Sequence, residues 1–313
     1  GWLARTQIPA DRGSWNSFSE LYEHNNAILL EVLKEAANNP NYIEGTDQRK
    51  ASDFYSIGMD SLLAEKMGAS VLNPTFAQIE KINSTTSLQN YLVQQELEGG
   101  GAFFGFSVFS DLMDSKTNAA YLGSGGLGLP ERDYYLKTDE KSKETRLKYL
   151  DHIMKMLQLS GEPMDQAKKS ADKVMAIETQ LARATLTKEE SRNPSKMYNK
   201  RSIAQLQALA PAINWNNYFE GLGVKTDSVI VTEPEFIKEC QEIFESERWS
   251  DIRAYLKWTA IHGAASYLNH AIVSESFEFN SKYLRGTETL RPRWKRVLSV
   301  TDNLLGDAIG QLY

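Results

Sequence analysis

Cysteine occurs once in this chain, at Cys240, so no internal disulfide framework can hold the fold. Histidine is nearly as scarce, with His24, His152, His262 and His270 the only four. None has a second histidine four residues away and none is followed by glutamate. The His-Glu-x-x-His arrangement that places two zinc-binding imidazoles on one helical face is therefore absent. Basic residues do not outnumber acidic ones: 35 against 41 leave a net charge of −6, without the clustered basic field that nucleic-acid surfaces need. Long apolar runs are missing too, since a stretch such as Ala102–Phe109 is far too short to cross a bilayer. No Gly-x-Ser-x-Gly elbow offers a serine nucleophile, and no glycine run leads into Gly-Lys-Ser/Thr to cradle a phosphate. No internal repeat or low-complexity tract stands out. The chain opens on Gly1-Trp2-Leu3 with no visible leader, so a processed or excised form is expected.

What is present is helical periodicity. Hydrophobic content of 41% and charged content of 24% suit a globular chain, and the length allows one large domain or two ordinary ones. Apolar spacing predicts helices over Ser14–Asn38, with Ser17 and Glu20 as a capping pair, and over Asp47–Met67. Shorter helices are expected at Pro74–Ile82, Ser87–Leu97, Ile203–Leu209 and Trp215–Leu222. Lys141–Leu159 and Met164–Leu186 read as an antiparallel helical pair turning at Ser160-Gly161-Glu162-Pro163. Phe103–Ser110 and Asn118–Leu122 predict a β-hairpin, and Val229-Ile230-Val231 a short strand. Pro234–Ser246 places Phe236, Ile237, Cys240, Ile243 and Phe244 on one face, so the thiol is expected to be buried and inert. Ser250–Phe279 is the longest uninterrupted helix expected, and an amphipathic segment over Val297–Leu312 follows. The fold class is mainly α with one small β element.

His262 and His270 fall on that long predicted helix two turns apart, roughly 12 Å at about 1.5 Å rise per residue, too far to share a metal. Acidic neighbours such as Glu189-Glu190 read as solvated charges. Arg291, Arg293, Lys295 and Arg296 form the densest basic cluster; holding helix ends and carboxylates is favoured over binding an anion.

One stretch is more specific than its composition. Gly125–Tyr135 reads Gly-Gly-Leu-Gly-Leu-Pro-Glu-Arg-Asp-Tyr-Tyr. By its glycines and Pro130 alone it is a turn. As a string it resembles a signature of the neprilysin and endothelin-converting-enzyme family of zinc metallopeptidases. Further matches follow in family order: Asp53-Phe54-Tyr55 with Met59-Asp60, Met197-Tyr198-Asn199-Lys200, and Arg291-Pro292-Arg293-Trp294-Lys295-Arg296 with Leu305-Gly306 and Gly310-Gln311-Leu312-Tyr313. Val297 stands where the disulfide-rich animal members carry cysteine, so the chain looks more like a bacterial member.

The resemblance implies a substrate-restricting helical cap over residues 1–230 and the first strip of a thermolysin-like catalytic domain over 231–313. It implies zinc in the full-length endopeptidase, peptide substrates, an exported location, and a partner in the missing C-terminal catalytic half. This chain alone, without the zinc motifs, is expected to be inactive and zinc-free. Aligned without gaps from Trp2 and Ile8-Pro9, Phe18 falls where the family lines the pocket for the residue after the scissile bond. A helix-core role for Phe18 is the alternative. The Arg, Asp and second Arg that hold a substrate's terminal carboxylate fall on Ser14, Ser19 and Tyr22, with Arg12 nearby at the helix start, where it is expected to point elsewhere. Hydroxyls cannot replace a bidentate guanidinium, so a general endopeptidase is expected. A stand-alone helical binding or scaffold protein derived from the family is the other reading. Against it, Val297–Tyr313 is apolar on one face and invites a partner.

Overall fold

The computed structural model describes residues 7–313. The helices are α1 (Ser17–Asn38), α2 (Asp47–Met59), α3 (Ser61–Met67), α4 (Asn73–Glu80) and α5 (Thr85–Leu97). The hairpin strands β1 (Phe104–Asp111) and β2 (Asp114–Ser124) come next, then α6 (Asp133–Leu136), α7 (Glu140–Leu159), α8 (Met164–Ala184) and α9 (Pro194–Met197). Strand β3 (Lys200–Ser202) leads to α10 (Ile203–Leu209) and α11 (Trp215–Gly221). Strand β4 (Ser228–Val231), α12 (Pro234–Glu245), α13 (Trp249–Ala264), α14 (His270–Phe277) and α15 (Arg293–Leu312) complete the chain. The mainly α class with a small β element is what the structure has, and no described helix is long and apolar enough to cross a membrane.

Two compact units form. One joins the chain up to Gly68 to Ala265–Tyr313, and the other is Ala69–Ala264. In the first, α1, α2 and α15 bury Leu33, Ala51, Tyr55, Leu298 and Ile309 against one another, with Trp294 and Val297 packed on the cluster. The core brings together apolar faces of helices far apart in sequence, and of the α1 residues at helical spacing Leu33 and Leu29 take part while Phe18 and Leu21 are exposed. Gly58 is required there, because a Cβ would lie 2.4 Å from a Val297 methyl.

In the second unit the sheet runs β1-β2-β4-β3, with β2 and β4 parallel and the other pairs antiparallel. Val229, Ile230 and Val231 are fully buried, as expected of a central strand flanked on both sides. Its apolar run was legible; its parallel partner was not. Lys200 pairs with the buried Asp111 carboxylate at 2.9 Å, and the Asn199 carbonyl accepts Val231 N–H at 3.1 Å. The Met197–Lys200 motif thus fastens the hairpin end to β4. That ion pair, with the Met113 N–H bond, holds the Asp111 carboxyl down at about 2.

Several predicted boundaries move, each for a local reason. Asn16, not the Ser17–Glu20 pair, caps α1, its Oδ1 accepting Ser19 N–H at 3.0 Å. The Asp47–Met67 helix divides at Asp60, whose carboxylate caps α3 through Leu63 N–H at 2.8 Å. The continuous helix expected over Ser250–Phe279 is broken. A 3₁₀ turn at Ala265–Tyr267 ends α13, Asn269 caps α14 through Ile272 N–H, and a π-helical turn occupies Glu278–Tyr283. His262 and His270 are therefore on different helices. The Val297–Leu312 segment starts earlier, at Arg293, and kinks at Leu305.

Leu298 is fully buried in the first unit's core. Leu298→Ala is expected to lower unfolding free energy by about 2–5 kcal/mol, read from a denaturant midpoint shift at unchanged slope.

Candidate functional site

The signature loop shows why its residue types are needed. Gly126 has φ +74, and a Cβ there would lie 1.9 Å from Tyr255 Oη and 2.8 Å from Phe103 N. A Cβ on Gly128 would lie 1.9 Å from Tyr149 Oη. Both glycines admit phenols that no larger residue would tolerate. Tyr255 Oη donates to the Gly126 carbonyl at 2.8 Å and accepts Phe103 N–H at 3.2 Å.

Beneath the loop, Glu178 of α8 is completely buried. Its carboxylate accepts Tyr135 Oη–H at 2.7 Å, Tyr149 Oη–H at 2.8 Å, Trp258 Nε1–H at 3.0 Å and the Gly128 N–H. Tyr135 Oη in turn accepts Leu129 N–H at 2.8 Å. Gly128, Leu129 and Tyr135 of the signature thus converge on one carboxylate. Burial pushes its carboxyl up to about 7, against the pull of those donors. Sequence reasoning passed over Glu178. The available signal was its place on the apolar stripe of α8, four residues after Val174 and three before Leu181.

Histidines flank the same network. His152 and His262 pack against the Trp258 ring at centroid distances of 5.6 and 5.1 Å. Burial, with His152 adding, pushes His262 down to about 4. His24 and His270 are exposed, and His270 Nε2 lies 3.3 Å from Ser274 Oγ. Among the described residues no three His, Cys, Asp or Glu side chains converge on a point that could hold a metal. The described residues offer no ligand set that fits a zinc ion. Cys240 is buried as expected, and burial raises its thiol well above the ordinary range.

The positions aligned with the family's substrate contacts lie on and before α1. Trp2, one anchor of that alignment, lies outside the described residues. Phe18 is 81% exposed, so its ring is not part of the helix core. Ser14 is exposed, and Ser19 donates Oγ–H to the capping Asn16 at 3.3 Å. Arg12 pairs with Glu23, and its guanidinium lies 5.3 Å from the centre of the Tyr22 ring. Arg291 lies 5.9 Å from the same ring. Arg12 thus folds back onto the first turns of α1. Lys295 reaches Glu23 at 2.6 Å, and burial of that carboxyl is outweighed by Lys295 and Arg12, which hold it below its usual range.

The rest of the basic cluster works as expected, on backbone carbonyls. Arg293 donates Nε–H to Gly58 O at 2.9 Å, and Arg296 donates to Arg291 O and Ser266 O at 3.2 and 3.1 Å. Tyr55 of the Asp53-Phe54-Tyr55 motif is in the core, Asp60 caps a helix, and Gln311 accepts from Gln48 at 2.8 Å. Each motif is thereby an architectural joint.

Comparison with known proteins agrees. The N-terminal profile of peptidase family M13 matches residues 1–313. The chain belongs to peptidase family M13. It is 28% identical to mouse endothelin-converting enzyme 1 and 26% identical to Drosophila melanogaster neprilysin-3, in each case over its whole length but only 42% of theirs. Among solved structures it is similar to the zinc metalloprotease Zmp1 of Mycobacterium tuberculosis in complex with inhibitor. The TM-score is 0.93 at 31% identity, covering all of this chain and 48% of that one. PepO of Lactobacillus rhamnosis shares the fold, with a TM-score of 0.86 at 15% identity. The chain thus spans under half the length of these M13 relatives.

The network also makes stability depend on pH, with two opposed contributions. Glu178 has its folded value raised, so the folded state keeps a proton that the unfolded chain has lost; stability from this group is full below pH 4.5 and is lost as pH rises to 7. His262 has its folded value depressed, so its contribution is lost as pH falls from 6.5 to 4. Glu178→Gln removes the first contribution only. The wild-type-minus-variant difference in unfolding free energy should fall by about 1.4 kcal/mol per pH unit between pH 4.5 and 7. A difference that is flat with pH would mean that Glu178 does not titrate in this window.

Proposed function

We propose that this chain is the non-catalytic, substrate-restricting portion of an exported zinc-dependent endopeptidase that hydrolyses peptides inside an enclosed chamber. In this reading residues 1–230 are the cap and 231–313 begin the catalytic domain. The metal ligands and the general base come from the C-terminal catalytic half, and the substrates are peptides. The observation that carries the reading is the unbroken family match over 1–313, in a chain spanning 48% of an inhibitor-bound zinc metalloprotease. A second support is the absence of His-Glu-x-x-His from the sequence. The alternative of a stand-alone scaffold has no separate observation in its favour.

Purified as it stands, the chain is expected to hold far less than one zinc per molecule by elemental analysis and to leave peptides uncut. Joined to the downstream half of its reading frame, it is expected to cleave them in a chelator-sensitive way. Stoichiometric zinc in the chain alone would refute the division of labour.

Ser14 and Tyr22 supply hydroxyls where guanidinium groups would grip a terminal carboxylate, Ser19 stands at the position of the accompanying Asp, and Arg12 is occupied by Glu23. The complete enzyme should therefore act as a general endopeptidase. Its kcat/KM for a peptide with a free C-terminus should differ less than about threefold from that for the amidated form. A preference for the free acid of more than a hundredfold, on the order of a lost charged pair, would overturn this.

A further inference from the structure

The two edges of the sheet are built in opposite ways. Edge β3 is three residues long and carries Lys200 and Arg201, the short, charged form that resists added strands. Edge β1 is eight residues long, contains no proline, and has no charged residue before Asp111. Val108 and Phe109 are 52% and 65% exposed, and the loop residues Leu112 and Met113 are 58% and 71% exposed. Leu-Met is also unusual at a hairpin tip, where Asn-Gly or Asp-Gly is the common choice.

The free groups on this edge can be identified. The Leu122 carbonyl accepts Thr232 N–H at 2.9 Å, so Leu122 points its backbone toward β4. Phe106, its partner on β1, therefore points its own backbone away from β2, with its N–H beside the Glu96 carboxyl. Direction alternates along a strand, so Val108 and Ser110 share that side. The Ser110 carbonyl accepts Tyr121 Oη–H at 2.9 Å. This leaves the Phe106 carbonyl, both Val108 groups and the Ser110 N–H facing outward, and no described strand pairs with that side. The strand is held in place for such pairing: Asp111 binds Lys200 and accepts Met113 N–H at 2.9 Å, and Thr117 Oγ1 donates to Asp114 O at 3.2 Å.

We propose that the outer edge of β1 is a docking strand for an extended peptide, which adds to Phe106–Ser110 through its backbone. The free groups match about three or four peptide residues in extended geometry. An apolar side chain would rest on Val108, and a basic one would face Glu96 near the end of α5. That acidic end, and the net charge of −6, favour a peptide carrying a basic residue over a second copy of this chain. The inference rests on the peptidase reading, in which the bound peptide is substrate.

The test is hydrogen exchange on the 313-residue chain with a capped hexapeptide, one lysine followed by alternating valine and threonine. A second sample uses the same peptide N-methylated at its central valine. The unmethylated peptide should slow exchange of the Val108 amide about tenfold, and the methylated one should not. Val108→Pro, which removes one edge donor at a position where proline is tolerated, should abolish binding, whereas Val108→Thr should keep it. No slowing, or equal slowing by both peptides, overturns the proposal. So does protection that appears without peptide and grows with protein concentration, which is pairing between copies. Should the proline variant fail to fold, the methylated peptide still decides. Zinc-dependent cleavage by the complete enzyme with no protection at Val108 would sink the docking strand and leave the peptidase reading standing.

Discussion

A single buried carboxylate organises the larger unit. Glu178 would be costly to bury alone, since a desolvated charge or an unpaired acceptor opposes folding. It is tolerated because donors from the signature loop, α6, α7 and α13 all reach it. The dependence is mutual. The loop can approach only because its glycines lack side chains, and the phenols are oriented only because the carboxylate is there to receive them. A buried polar network of this kind specifies one arrangement of loop and helices, where apolar packing alone would allow several.

This explains why the signature was readable before its purpose was. Gly126, Gly128 and Tyr135 stand out in the sequence because close approach and hydrogen bonding admit few substitutes. Glu178 does not stand out, since a glutamate among helical apolar residues resembles any other surface position until its face is known. The same limit hid the parallel pairing of β2 with β4: periodicity reports which residues are buried and not which strand lies beside them. The break after α13 was missed for a different reason. Apolar spacing continues through Ala265 and Leu268, and the competing cap at Asn269 is a local hydrogen bond that periodicity does not weigh. The helical class, the hairpin and the buried thiol rested on strong patterns and were legible throughout.

At the start of α1 the outcome is mixed in an instructive way. Phe18 stands in solvent, although an apolar residue at helical spacing is ordinarily core. Arg12 and Arg291 gather around Tyr22 while Glu23 is held by Arg12 and Lys295, so the charges in this region are largely committed to one another. What remains accessible is chiefly aromatic and hydroxylic. Such a surface offers shape and side-chain contacts and has little to offer a terminal charge.

The division of the chain carries a consequence for how it is made. The smaller unit is discontinuous: α1 and α2 are synthesised first, yet their core is closed by Leu298 and Ile309 of α15. Almost two hundred residues of another folding unit intervene. On a ribosome adding residues one by one, Ala69–Ala264 can finish while α1 and α2 still present an uncovered apolar face. The interval before α15 emerges is thus the period in which the nascent chain is most exposed to aggregation and most in need of a chaperone.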